Sequence, residues 1–79
     1  MVESFKTALR ESNMAENTIS AYIYAVNDYF SKYKMLNKRN LLLYKANIIE
    51  MFSPKTVNLR IQALNKFLEH IGKPKLRLK

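Results

Sequence analysis

The feature that most constrains the fold is the stretch of residues 53–72, which carries both the start and the stop signals of a helix. Ser53 is typical of a helix N-cap, where a side-chain oxygen accepts hydrogen bonds from otherwise unpaired amides. Pro54 suits the first helical position, because an N–H at that position has no partner within the helix. Gly72 suits the left-handed residue that follows a helix, and Pro74 prevents the helix from continuing. We therefore predict one helix across this stretch.

Nearly the same apolar pattern occurs 38 residues earlier, and at this offset Thr18, Ile23, Ala25 and Asn27 meet identical residues. Apolar residues that recur three or four positions apart form one face of a helix. The sequence thus predicts two amphipathic helices, the earlier over about residues 16–34, that pack against each other by their apolar stripes. The stripes are Ile19, Tyr22, Ile23, Val26, Phe30 and Tyr33 in the earlier helix and Val57, Ile61, Leu64, Leu68 and Ile71 in the later one.

Two further elements, one before these two helices and one between them, complete a prediction of four helices and an all-α fold. Residues 2–12 place Phe5 and Leu9 on one face of a first helix. After the fourth helix comes the run KPKLRLK, residues 73–79, which we interpret as a flexible basic linker with no room for another core element. The predicted domain therefore spans residues 1–72.

The third segment is ambiguous. It follows the basic run KMLNKRN and consists of the apolar run LLLYKANIIEMF. Residues 41–43 fit an extended chain, whereas residues 44–52 fit a short helix with Ile48 and Phe52 facing inward. The pattern leaves the start of this element open.

The net charge is the first indication of function. The chain carries 14 Lys and Arg against six Asp and Glu, a formal charge of +8. Residues 51–79 hold seven of the basic side chains and one of the acidic ones. This imbalance favours a polyanionic partner, and we expect nucleic acid rather than a membrane. No apolar run reaches the roughly 20 residues of a membrane span, so we expect a cytoplasmic protein.

The composition argues against several classes of active site. The chain has no cysteine and a single histidine, His70, which excludes disulfides, thiolate metal sites and clusters of several histidines. One glycine is too few for a glycine-rich phosphate loop. No Ser/His/Asp or Cys/His set can be assembled, so we expect no enzymatic activity, no metal and no cofactor. We expect His70 to be solvated near a helix C-terminus.

Polar residues near two helix starts are candidate DNA contacts. A helix N-terminus attracts phosphate through its free amides and its dipole, and Asn, Gln, Lys and Arg side chains read base edges in the major groove. The alternative interpretation is that these are ordinary solvated positions. The candidates are Asn17, Thr18 and Ser20 in the second helix, Lys55, Thr56, Asn58 and Gln62 in the fourth, and Lys73, Lys75 and Arg77 in the basic linker.

The order and spacing of these elements resemble the core-binding domain of tyrosine recombinases, the phage-integrase family. The resemblance covers about residues 4–72, although each motif by itself is mostly a helix pattern. The matching residues are Phe5 and Leu9 for the family's F…L opening, Thr18, Tyr22 and Phe30 for its T…Y…F helix, and Thr56, Ile61, Leu64 and Phe67 for its final helix.

This resemblance implies a SAM-like bundle of four helices that grips one face of a recombination site in double-stranded DNA. In the family, base and phosphate contacts come mainly from the second and fourth helices. A contact residue just before the helix-two threonine matches Asn17, and a small hydroxyl residue early in helix four matches Thr56. Where the family has another contact one turn further on, this chain departs from the pattern with Ala21.

The resemblance also implies partners. The family's tyrosine nucleophile and its arginines, lysine and histidines belong to a separate catalytic domain, toward which residues 73–79 are expected to lead. The expected partners are therefore DNA, that catalytic domain, and other recombinase protomers on the DNA. A bacterial, phage or mobile-element setting is implied by the same family.

Two other functions agree with fewer features of the sequence. A SAM-like module for protein–protein interaction is the main alternative, because a fold by itself does not determine function. A helix-turn-helix regulator needs two helices joined by a turn of three or four residues, whereas here a whole element separates the two candidate helices.

Overall fold

The architecture is a bundle of helices. A computed structural model describes residues 2–78, and these residues contain four α-helices, one short 3₁₀ helix and no strand. The all-α prediction is therefore confirmed for this part of the chain. The elements are α1 (Val2–Glu11), α2 (Glu16–Lys32), α3 (Lys38–Met51), α4 (Pro54–His70) and the 3₁₀ helix Pro74–Leu76.

The core is centred on the contact between α2 and α4, with α1 packed on α2 and α3 packed on α4. The ring of Phe67 meets the rings of Phe5 and Phe30 edge-on, with centroid separations of 5.2 and 5.9 Å. Edge-to-face pairs of this kind add about 0.5–1.5 kcal/mol to the gain from area burial. Phe30 is partly buried, and besides Phe5 and Phe67 the large, fully buried side chains are Leu9, Ile19, Val26, Tyr29, Leu41, Tyr44, Ile48, Leu64 and Leu68.

The two matched stripes pack together, but their members are buried to different depths. Val26 and Leu64 are completely buried, whereas Ile23 and Ile61 are partly buried and pack at the edge of the core. Tyr29, which lies beside the predicted stripe, is also completely buried. The buried face of α2 is therefore rotated toward Tyr29 relative to the predicted stripe.

The third element is one continuous helix, so of the two alternatives left open at residues 41–43 the structure has the helical one. The side chain of Asn37 caps α3, because its Oδ1 accepts a hydrogen bond from the backbone N–H of Asn40 at 2.8 Å. Leu41 is completely buried and secures the first turn against the core. The cap lies within the basic run KMLNKRN, before the segment in which the sequence predicts a helix.

The start of α4 differs from its prediction in one bond. The helix begins at Pro54 directly after Ser53, as predicted, but the Ser53 side chain caps no backbone amide. Its hydroxyl donates instead to the Thr56 hydroxyl at 3.4 Å. The predicted capping bond is therefore wrong, and the first amides of α4 carry no side-chain cap.

We expect Asn37→Ala to lower the free energy of unfolding by about 1 kcal/mol, because an amide of α3 loses its acceptor. Ser53→Ala should cost clearly less, since Ser53 caps no amide. In a domain of this size, 1 kcal/mol corresponds to a shift of about 4–8 °C in the thermal midpoint. Thermal unfolding followed by circular dichroism measures both variants, and equal midpoints would contradict this assignment of the caps.

The end of α4 confirms the prediction at Gly72. This residue has a φ of 77°, in the left-handed region that glycine adopts without steric cost. The Lys73 N–H donates to the Leu68 carbonyl at 2.8 Å, and the Gly72 N–H donates to the Glu69 carbonyl at 3.2 Å. The two bonds form a Schellman motif, which closes the helix and turns the chain back along it.

Residues 73–78 pack on the domain through Leu76 and Leu78, so the prediction that this run adds nothing to the core is wrong. Leu78 is only 2% exposed and belongs to the core. The side-chain amide of Asn65 accepts from the Leu78 N–H at 2.7 Å and donates to the Leu78 carbonyl at 2.8 Å. A side-chain amide pairs with a backbone residue in this way because it carries both an acceptor and donors. Lys79, the last residue of the predicted linker, lies outside the described residues.

We expect Asn65→Ala to loosen the chain around Leu78, since both hydrogen bonds disappear together. Hydrogen exchange at the Leu78 amide should become about tenfold faster, which corresponds to about 1.4 kcal/mol of lost protection. Asn27→Ala is the matched control, because Asn27 takes the equivalent position in α2 and is exposed. Unchanged exchange in Asn65→Ala would show that the burial of Leu78 alone holds this segment.

Candidate nucleic-acid interface

Four of the predicted DNA contacts lie together on the first turns of α4. Lys55, Thr56, Asn58 and Gln62 line one open depression, which also includes Leu59. Residues three or four positions apart share a helix face, so most of this group points away from the core. Lys55, Asn58 and Gln62 are exposed and Thr56 is partly buried. The depression therefore presents an ammonium group, a hydroxyl and two side-chain amides to solvent.

The predicted contacts of α2 lie in a different place. Asn17 and Ser20 are exposed, and Thr18 is partly buried. Ser20 lines a second depression, together with Lys6 of α1 and Tyr24 of α2. Of the three predicted contacts of α2, Ser20 alone lines this depression, and none of the three lines the depression on α4.

The starts of α2 and α4 differ in charge. Neither helix has a side-chain cap on its first amides, in contrast to α3. The first turn of α2 contains Glu16, which pairs with Arg10 at 3.3 Å. The first turn of α4 contains Lys55 and no acidic residue. A carboxylate repels phosphate and an ammonium group attracts it, so α4 offers the better anion site.

The basic residues of the C-terminal segment lie near the second half of α4. Lys73, Lys75 and Arg77 are exposed, and Asn65 of α4 anchors their segment through Leu78. Lys38 at the start of α3 donates to the Arg77 carbonyl, with 3.5 Å between Nζ and the oxygen. These cations therefore project from a segment that is anchored to the domain by its backbone.

A buried polar cluster holds α4 against α2 and α3. Arg60 is only 8% exposed, and its Nη1 donates to Asp28 Oδ2 at 2.8 Å and to the Tyr44 hydroxyl at 3.0 Å. The Tyr44 hydroxyl donates in turn to Asp28 Oδ2 at 2.8 Å. The guanidinium carbon lies 4.4 Å from the ring centroid of Phe52 and 5.3 Å from that of Tyr24. One charged group thus connects three helices.

Arg60 is not among the residues predicted from the sequence, although the sequence contains a signal for it. Arg60 follows Val57 by three residues and precedes Leu64 by four, so it lies on the apolar side of α4. A charge at such a position requires a partner, because an unpaired buried charge is very costly. The partner, Asp28, is not identifiable from periodicity, since it lies at the edge of the polar face of α2.

Burial raises the pKa of Tyr44 from 10.0 to about 12, against the hydrogen bond from Arg60, which lowers it. The neutral phenol is therefore favoured more strongly in the folded chain than in the unfolded chain. Because the folded-state pKa is the higher one, this contribution to stability is complete below about pH 10 and is lost as the pH rises toward 12.

Between about pH 9 and pH 12, the wild-type protein should lose about 2–3 kcal/mol of stability that Tyr44→Phe does not lose. Chemical denaturation at a series of pH values measures this difference, and shared titrations of lysine cancel in the comparison. Tyr22→Phe serves as the control, because Tyr22 is also packed against the core but has no hydroxyl hydrogen bond within residues 2–78. Parallel pH profiles for wild type and Tyr44→Phe would contradict the role given to burial.

Comparison of the chain with protein-family models, with curated proteins and with solved structures gives no match. Within residues 2–78, none of the helices combines the length and the apolar character that crossing a bilayer requires. In the same part of the chain, no three acidic or histidine side chains come together as a possible metal site. The case for a function therefore rests on the positions and the charges of the residues themselves.

Proposed function

We propose that this chain is the DNA-binding, core-binding domain of a site-specific tyrosine recombinase or integrase, with the SAM-like fold of that family. In this proposal it grips the recombination site in double-stranded DNA, and the chemistry belongs to a separate catalytic domain of the same protein. Other protomers on the DNA are its further partners, in the cytoplasm of a bacterial, phage or mobile-element host. The order of the four helices and the matched motif residues support the family assignment.

The observation that carries the proposal is the depression on the first turns of α4. The ammonium group of Lys55 and the uncapped amides of the helix start suit a phosphate. The side-chain amides of Asn58 and Gln62 suit an adenine edge in the major groove, where such amides form bidentate pairs. The depression therefore combines groups that bind the phosphate backbone of DNA with side-chain amides that read its bases.

The buried cluster supports the proposal because it fixes the orientation of this helix. Arg60 follows Thr56 by one turn, and its bonds to Asp28 and Tyr44 join α4 to α2 and α3. Binding residues function best on rigid elements whose geometry is set before the ligand arrives. The exposed side of α4 is thus positioned by contacts on its buried side.

The remaining predicted contacts take supporting roles. Lys73, Lys75 and Arg77 contribute phosphate contacts from an anchored segment, within a chain whose net charge is +8. Each phosphate that such a cation neutralises releases counterions, which strengthens binding and makes it sensitive to salt. Asn17, Thr18 and Ser20 form a second contact region, which is weaker because Glu16 opposes phosphate at the start of α2.

The isolated chain should bind duplex DNA with a dissociation constant on the order of 10⁻⁴–10⁻⁶ M at physiological salt, in the range of non-specific binding. Lys55→Ala and Lys75→Ala should each weaken binding to all sequences alike and reduce the slope of log K against log salt by about 1. Asn58→Ala should leave that slope nearly unchanged and remove about 1–3 kcal/mol of discrimination between sites. Fluorescence anisotropy at several salt concentrations measures these effects, with exposed Lys34 replaced by Ala as the charge-matched control.

An NMR titration with a duplex locates the binding face. The expected shifts are at Asn17 and at residues 55–58, and shifts confined to α1 or to residues 50–52 would contradict the proposed face. No binding at low salt, even to the cognate site, would favour the alternative of a SAM-like protein-interaction module.

A further inference from the structure

The helix α3 is apolar on its solvent side as well as on its core side. Leu42, Leu43 and Ile49 are 49%, 48% and 54% exposed, and Ala46 between them is also exposed. Residues three, four and seven positions apart share a helix face, so these four form one strip, here called the outer α3 strip. Single exposed leucines are ordinary, but an aligned apolar strip is typical of a contact surface.

Opposite charges stand at the two ends of the outer α3 strip. Arg39 lies seven residues before Ala46 and Glu50 lies four residues after it, so both share its face. The two are separated by 11 residues, which is about 16 Å along a helix. Both are exposed, and neither forms an ion pair with any residue from 2 to 78.

We propose that the outer α3 strip binds the same strip of a second copy of this chain, in an antiparallel contact with two-fold symmetry. An axis that passes between positions 44 and 45 brings Arg39 of each copy to Glu50 of the other. Leu43 of one copy then lies against Ala46 of the other. The apolar strip is covered, and both charges at its ends are paired.

The positions of Arg39 and Glu50 favour a second copy of this chain as the partner, and they favour an antiparallel contact over a parallel one. In a two-fold contact every pairing occurs twice, so one antiparallel contact forms two Arg39–Glu50 ion pairs. A parallel contact sets Arg39 against Arg39 and Glu50 against Glu50, and like charges at an interface repel. The small side chain of Ala46 near the axis allows the helices to approach to about 8–10 Å.

The association is weak in the free protein. A single pair of short helices buries less than the roughly 1,200 Å² at the lower limit of stable interfaces. Two copies that each carry a net charge of +8 also repel one another. Dimers therefore form only at high protein concentration. The contact needs no DNA, so it is tested independently of the proposed function.

Sedimentation equilibrium at concentrations up to about 1 mM tests the association. The wild-type protein should show concentration-dependent dimers. Glu50→Arg and Arg39→Glu should each raise the dissociation constant by about tenfold, because both ion pairs become like-charge pairs. The combined variant Arg39→Glu/Glu50→Arg should return it to within about threefold of the wild-type value.

The two single variants separate pairing from net charge. Glu50→Arg increases the positive charge of the chain and Arg39→Glu decreases it, yet both should weaken the dimer. Glu11→Arg is the matched control, because it changes the net charge as Glu50→Arg does but lies on the exposed surface of α1. An equal effect of Glu11→Arg and Glu50→Arg would overturn the Arg39–Glu50 pairing, and so would a combined variant without rescue.

Cross-linking tests the direction, since the chain has no cysteine of its own. A short bismaleimide reagent should join two copies of Ala46→Cys, whose positions are about 4–5 Å apart along the helix axis. It should not join two copies of Arg39→Cys, which lie about 16 Å apart in an antiparallel pair. Equal cross-linking of both variants would indicate a parallel contact and overturn the proposal, as would a wild-type protein that stays monomeric at the highest concentration.

Discussion

The salt bridge between Arg60 and Asp28 is the interaction on which the arrangement of the helices depends. Taking two charges out of water is costly, and the cost is offset only where each charge finds its partners at close range. With Tyr44 as a third member, the cluster satisfies these groups only when α2, α3 and α4 meet in one arrangement. Apolar stripes alone tolerate some rotation of one helix on another, so the polar cluster adds specificity that the stripes do not supply.

This cluster also connects the interior of the domain to its surface. A helix presents one set of side chains for each rotation about its axis, and Arg60 fixes that rotation for α4. The exposed set is then Lys55, Asn58 and Gln62, on the side away from the core. The chemistry that α4 offers to a partner is therefore determined by a residue that the partner does not touch.

The features that depend on neighbours in sequence were predictable from the sequence. Helical periodicity identified the four α-helices. Gly72 predicted the end of α4, because the left-handed residue that follows a helix depends on the local backbone conformation alone. The same periodicity placed the polar residues of α4 on one exposed face, but it did not show that Ser20 of α2 lines a separate depression. The missed features join residues far apart in the chain, as in the pairs Arg60–Asp28 and Asn65–Leu78. Ser53 shows that a local signal also fails when a side chain has a competing partner nearby.

The burial of Leu78 links the charges of the C-terminal segment to the folding equilibrium of the whole domain. Lys73, Lys75 and Arg77 hold their relative positions only while Leu78 remains in the core. A polyanion that recognises this arrangement binds the folded state better than the unfolded state. By mass action, a polyanion at free concentration [L] then raises the free energy of unfolding by RT ln(1 + [L]/Kd). The linkage is reciprocal, so a substitution that loosens the core near Leu78 weakens anion binding without removing a positive charge.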